Sequence, residues 1–193
     1  MVLSTGINKI RTAVFISGTG SNLKSLIKFS KNKQSPISIK LIFSNNYKAK
    51  GLRYAKIYKI KKKILNFKKK NLSENKLISI LKINNIELIC LAGFMKILSK
   101  NFIKKFSGKI LNIHPSLLPK YKGLNTHEKV LNNNEKYSGC TVHFVNAKLD
   151  SGEIVLQKKI KISKNETVAS LAKKILIQEH KLYPEAILKV FNL

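Results

Sequence analysis

Residues 12–22 read Thr-Ala-Val-Phe-Ile-Ser-Gly-Thr-Gly-Ser-Asn. The apolar run Ala13–Ile16 is strand-length, and Gly-Thr-Gly ends it at once. Ser21–Phe29 follows as a helix. A buried strand, a glycine turn and a helix in that order open a parallel βα unit. The same alternation continues outward. Strand-like runs at Thr12–Ser17, Ile37–Ser44, Lys63–Leu65, Glu87–Ala92, Lys109–Ile113, Gly139–Val145 and Glu153–Ile160 alternate with helical ones. The helices are expected at Ser21–Phe29, Ala49–Tyr58, Ser73–Ile83, Ser99–Phe106, Thr126–Leu131 and Val168–Val190. This order predicts an α/β fold, a mostly parallel sheet with helices on both faces. Open sheets of this kind hold ligands beyond the carboxyl ends of their strands, so chemistry is expected just after Ser17, Ala92 and Ile113.

The chain has 193 residues, 44% of them hydrophobic, which is enough for a real core. With no repeat and no Pro- or Ser-rich linker, residues 1–193 read as a single domain. The apolar stretch Ile89–Phe94 is too short to span a bilayer, so no membrane is expected as a partner. No secretory leader is legible, and two cysteines, Cys90 and Cys140, make no disulfide framework; a cytoplasmic setting is expected. No metal is expected, because the His and Cys residues lack ligand spacing. Thirty-eight basic residues against nine acidic ones leave a net charge of +29. Only Arg11 and Arg53 are arginine, and the lysines run from Lys9 to Lys189 without gathering in one element. Lys, Asn and Ile share A/T-rich codons, so compositional drift is favoured over a nucleic-acid surface, and no specific nucleic acid is expected. A basic nucleic-acid-binding module remains the alternative from another class.

Four segments can carry chemistry. Ser17-Gly18-Thr19-Gly20-Ser21-Asn22 presents backbone N–H groups at a helix N-terminus, suited to a phosphate; the plain reading is a tight turn with Ser21 as helix cap. It matches neither a dinucleotide fingerprint nor a P-loop. In Leu111-Asn112-Ile113-His114-Pro115, the strand period of two puts Asn112 and His114 on one side. An amide can donate to a developing oxyanion and an imidazole can move a proton; alternatively both simply cap a strand end. Asp150, in Leu149-Asp150-Ser151-Gly152, is either a turn acid or the carboxylate that orients His114. Leu91–Leu98 either packs the core or walls a pocket for a flat polar heterocycle. His127 and His143 stay open between site and packing.

Taken together, these segments resemble the phosphoribosylglycinamide formyltransferases, folate-dependent enzymes of purine synthesis. The likeness runs through Ile16–Leu23, Phe43-Ser44-Asn45, Leu91–Leu98, Leu111–Lys120, Gly123 with Thr126-His127, Thr141–Val145, Leu149–Gly152 and Gln178-Glu179-His180 with Tyr183-Pro184. The resemblance implies a Rossmann-like formyltransferase fold. It implies formyl transfer from 10-formyltetrahydrofolate, as cosubstrate, to the amine of a phosphoribosylated glycinamide. By motif, Gly20, Ser21 and Asn22 would hold the phosphate, and Asn112, His114 and Asp150 would form the catalytic trio. Glu179 would meet the amine. Met95, Lys96, Ile97 and Leu98 would line the folate pocket, with Asn112 touching the donor and Lys148–Asp150 adding backbone contacts. Lys70 stands, by spacing, where the family often has an arginine for folate, and it lacks the planar fork.

The implied mechanism is direct attack of the amine, with Asp150 raising the pKa of His114. Lys120–Gly123 is expected to be a mobile loop closing over the substrates. The partners expected are small-molecule substrates, with the chain a monomer or weak homodimer. Methionyl-tRNA formyltransferases share the Asn-x-His and Asp pattern but usually carry a further carboxyl-terminal domain. Formyltetrahydrofolate hydrolases usually carry an added amino-terminal one.

Overall fold

The structure is a computed structural model that describes residues 8–192. Seven strands form one sheet: β1 (Ile10–Ile16), β2 (Ile37–Ser44), β3 (Lys61–Ile64), β4 (Leu88–Leu91), β5 (Lys109–His114), β6 (Tyr137–Phe144) and β7 (Ile154–Lys161). Their order is β3-β2-β1-β4-β5-β6-β7. The first five pair in parallel, and β6 and β7 are antiparallel. The helices are α1 (Ser21–Ser30), α2 (Arg53–Ile57), α3 (Lys70–Ile83), α4 (Lys100–Lys105), α5 (Thr126–Asn132) and α6 (Val168–Val190). None is long and apolar enough to cross a membrane.

β1 is central, and its side chains alternate between two core layers, as a period of two requires. Val14 and Ile16 pack with Leu23 and Leu26 of α1 and Leu171 and Ile175 of α6. Ala13 and Phe15 pack on the opposite face with Leu77 and Leu81 of α3 and Phe102 of α4. Helices therefore cover both faces, and the order reverses between β1 and β4, where a crevice opens.

Among the boundaries that depart from the sequence expectation, three have a clear local cause. β3 begins two residues before Lys63, because pairing with Leu41–Ser44, not apolar side chains, defines it. Its three lysines are exposed on the sheet edge, where charge discourages edge-to-edge association. The helix expected over Ala49–Tyr58 splits into a 3₁₀ turn at Lys50–Leu52 followed by α2. Gly51 is pressed against the glycine turn after β1: a Cβ on Gly20 would lie 2.8 Å from the Gly51 Cα. α3 starts three residues before Ser73, after a turn capped by Asn66, whose side chain accepts from the Lys68 N–H at 2.9 Å.

α6 ties the layers together. Thr167 and Ser170 form a reciprocal capping box at its start. Pro184 lies inside the helix and cannot donate to the His180 carbonyl; the Ser25 hydroxyl of α1 donates to that carbonyl at 3.0 Å. One turn further along the chain, the buried Tyr183 hydroxyl faces the carbonyls of Leu91 and Leu111 at 3.1 and 2.9 Å, bridging β4 and β5. Tyr183→Phe keeps the ring but leaves both carbonyls without that donor. It is expected to lose about 1–2 kcal/mol of unfolding free energy; chemical denaturation measures this, and parental stability would contradict the bridge.

Candidate active site

A cavity of about 1060 Å³ opens beyond the carboxyl ends of β1, β4 and β5. At one end are Ser21 and Asn22 of α1 with Glu179 of α6; Gly93–Leu98 wall the other side. Asn112, His114, His143 and Asp150 also line it.

The anion-facing end is built by the turn after β1. Gly20, not Ser21, is the cap of α1, in the left-handed region at φ 74°. A glycine adopts that conformation freely, and the contact with Gly51 admits no side chain. The first N–H groups of α1 have no intrahelical acceptor and form its positive end. The Asn22 amide donates to a Glu179 carboxylate oxygen at 2.7 Å. Its own Oδ1 is buried with no partner among the described residues. Burial raises the Glu179 pKa, and the Asn22 hydrogen bond only partly offsets that. A hydrogen-bonding ligand would satisfy both groups.

The second cluster sits on β5 and β6. Leu111 and Ile113 are buried in the α6 core layer, so Asn112 and His114 share the other side of β5. Antiparallel pairing sets His143 directly opposite Asn112. His143 Nδ1 lies 2.7 Å from the Phe144 carbonyl and must carry the proton there, because a carbonyl only accepts. In the neutral ring, Nε2 then accepts from the Asn112 amide at 3.1 Å. One amide hydrogen of Asn112 is thereby used, and the other is left for a ligand.

His114 Nε2 donates to the Tyr121 carbonyl at 2.9 Å, and Nδ1 faces Asp150 Oδ2 at 3.4 Å. Asp150 Oδ1 lies 3.7 Å from His143 Nε2. Burial pushes the His114 pKa down; the Tyr121 carbonyl and Asp150 pull it back up, and His143 and Lys129 add to the fall. The expected rise from Asp150 is thus present but outweighed, because the ring loses water on entering the wall of the cavity. For Asp150 burial acts upward, yet His143, the Gly123 N–H at 2.8 Å and the His114 field together hold the carboxyl below its ordinary range. Asp150 itself is in the left-handed region, at φ 44°, which an aspartate in a turn adopts more readily than most residues.

Of the residues singled out from sequence, Ser21, Asn22, Met95, Lys96, Ile97, Leu98, Asn112, His114, Asp150 and Glu179 all line this cavity. Lys148 and Leu149 line it beside Asp150. Gly20 shapes the turn behind it. Lys70 is exposed on the first turn of α3 and is not among the lining residues. The turn at Phe67–Lys69, invisible to spacing arguments, sets where that helix begins. The Lys120–Gly123 segment, expected to be a mobile loop closing over the substrates, makes a hydrogen bond at each residue in this structure. Lys120 and Tyr121 both hold Glu135, Lys122 meets Ser151, and Gly123 meets Asp150. Sequence reasoning missed the Tyr121 carbonyl and the Gly123 N–H, since backbone groups leave no residue-type signal. His143 had a signal in its cross-strand register with Asn112, but not one readable before the pairing of β5 with β6 was known. No group of three or more His, Cys, Asp or Glu suited to a metal occurs among the described residues.

A family profile described as formyl transferase matches residues 10–187. The chain is 41% identical over 179 residues to a phosphoribosylglycinamide formyltransferase of Haemophilus influenzae, covering 90% of this chain and 84% of that protein. It is also 41% identical to the human trifunctional purine biosynthetic protein adenosine-3, covering 93% of this chain but only 18% of that larger protein. A crystal structure of phosphoribosylglycinamide formyltransferase from Brucella melitensis superposes with a TM-score of 0.90 at 38% identity, covering 95% and 96% of the two chains. Sequence, sheet order and cavity agree, and the chain belongs to the phosphoribosylglycinamide formyltransferase family.

Proposed function

We propose that this chain transfers a formyl group from 10-formyltetrahydrofolate to the amine of 5'-phosphoribosylglycinamide, a step of purine synthesis. The observation that carries the reading is the Asn112–His114–Asp150 cluster, lying between an anion-suited helix terminus and a largely apolar wall in one cavity. Family membership supports it.

The α1 terminus, with Ser21 and Asn22, takes the phosphate. Glu179 meets the amine, and Met95–Leu98 with Lys148–Asp150 take the heterocycle of the donor. The two reactants then meet at Asn112. As the amine adds to the formyl carbon, charge grows on the formyl oxygen. The free amide hydrogen of Asn112 is aimed at that charge, its direction held by His143. His114 supplies the second donor in its protonated form: Nε2–H is committed to the Tyr121 carbonyl, so the added proton sits on Nδ1, and the 3.4 Å contact with Asp150 leaves it free to be shared with the oxyanion. Asp150 balances the imidazolium, and the His114–Asp150 pair is the route by which the proton released by the amine reaches the departing nitrogen. No covalent enzyme intermediate is required, since holding both reactants in one pose removes most of the entropic barrier. The net positive charge attracts anionic substrates to the protein as a whole.

Asn112→Ala and His114→Ala are each expected to lower turnover by about 10²–10³-fold, the typical loss on removing one oxyanion donor. A formyl-transfer assay on folded variants tests this, and near-normal turnover in either would defeat the assignment. An NMR titration of His114 is expected to show a midpoint lower than that of an ordinary histidine. Asp150→Asn should move it lower still, because a charge that favours the imidazolium is removed; a rise would contradict the pairing.

A further inference from the structure

Ser17 ends the turn-side of β1 and has every polar group engaged by a neighbouring strand exit. Its N–H donates to the Gly93 carbonyl at 3.0 Å. Its carbonyl accepts from the Asn46 amide at 3.1 Å. Its hydroxyl donates to Asn45 Oδ1 at 2.5 Å and accepts from the Met95 N–H at 2.8 Å. Ser17 therefore grips residues 93 and 95 at once, where the chain turns away from β4 through Gly93 at φ 73°.

The residues just after Ser17 lead into the phosphate-facing turn. Gly18 accepts from the Gly51 N–H at 3.0 Å, and Gly20 is packed against Gly51. One short stretch of chain is thus fixed to the heterocycle wall at Ser17 and to the helix terminus at Gly20. Asn45 and Asn46 do not line the cavity, and the transfer chemistry leaves Phe43-Ser44-Asn45 without a role. The junction supplies one.

We propose that Ser17, held by Asn45, is a positioning residue that sets the separation between the heterocycle wall beginning at Met95 and the phosphate turn. It thereby sets whether the two reactants meet at Asn112. Reacting atoms must approach to about 3–3.5 Å, and an error of about 1 Å costs on the order of 10²-fold in rate. A hydroxyl that fixes the first residue of one wall acts on that alignment without touching either reactant. The inference rests on Met95–Leu98 being the folate wall.

The test uses the full chain and three variants, Ser17→Ala, Ser17→Thr and Asn45→Ala. Formyl transfer is measured with each substrate varied in turn, and tetrahydrofolate binding is measured directly by calorimetry. Ser17→Ala is expected to weaken tetrahydrofolate binding about fivefold, the change expected when a hydrogen bond is lost. Its kcat should fall by about tenfold or more, with the KM for phosphoribosylglycinamide within about twofold of the parent. Ser17→Thr, which keeps the hydroxyl, should restore most of both. Asn45→Ala should shift tetrahydrofolate binding in the same direction by about threefold, because Ser17 still accepts from Met95; it decides the matter should Ser17→Ala fail to fold. Unchanged tetrahydrofolate binding, or a parallel rise in both KM values as from general destabilisation, overturns the proposal. Absence of formyl transfer in the parent chain would instead sink the proposed function, so the two failures are distinguishable.

Discussion

The whole site depends on a change of direction at β5. On one side this strand pairs in parallel with β4, and on the other it pairs antiparallel with β6. Parallel pairing carries the carboxyl end of β5 to the same edge as those of β1 and β4, where the crevice lies. Antiparallel pairing brings His143 across from Asn112 and lets residues 145–153 return over the sheet. Asp150 then reaches both histidines. A strand running parallel to β5 in the place of β6 would reverse this register and carry the 145–153 return to the other end of β5.

This arrangement makes the site a buried polar network, which is useful only when it is almost fully satisfied. Its members hold one another in sequence: the Phe144 carbonyl fixes His143, His143 fixes Asn112, the Gly123 N–H fixes Asp150, and Asp150 lies beside His114. The opposing influences on His114 follow from the same crowding. Burial favours the neutral ring, whereas the Tyr121 carbonyl and Asp150 favour the charged one. A ring held between those tendencies gains or loses a proton with a small change of field, such as the arrival of an anionic substrate. Glu179 is a counterpart at the other end of the cavity, with burial raising its pKa and the Asn22 amide lowering it.

Several parts of this were legible in the linear chain. The buried run Ala13–Ile16 closed by Gly-Thr-Gly identified a βα opening, because glycine spacing and apolar continuity are local properties. Asn112 and His114 could be placed on one side of a strand by period alone. Other parts were not legible. β3 is three lysines and Ile64, and its strand character comes from pairing with β2. The break between residues 52 and 53 comes from Gly51 meeting Gly20, a contact across 31 positions. That Lys70 is exposed on the first turn of α3 was not readable from spacing. The hydrogen bonds of Lys120–Gly123 were not legible either, because the partners Glu135 and Asp150 are remote in the chain.

The sequence by itself determined the alternation of strands and helices, the two core faces of β1 and the presence of an amide and an imidazole two residues apart. These follow from steric and hydrophobic periodicities that act over a few residues. Only the tertiary structure decided that Asp150 and His143 join them, that Ser17 grips the turns after both neighbouring strands, and that burial depresses His114. Those outcomes depend on strand order, register and loss of water, which are set by contacts between segments far apart in the chain.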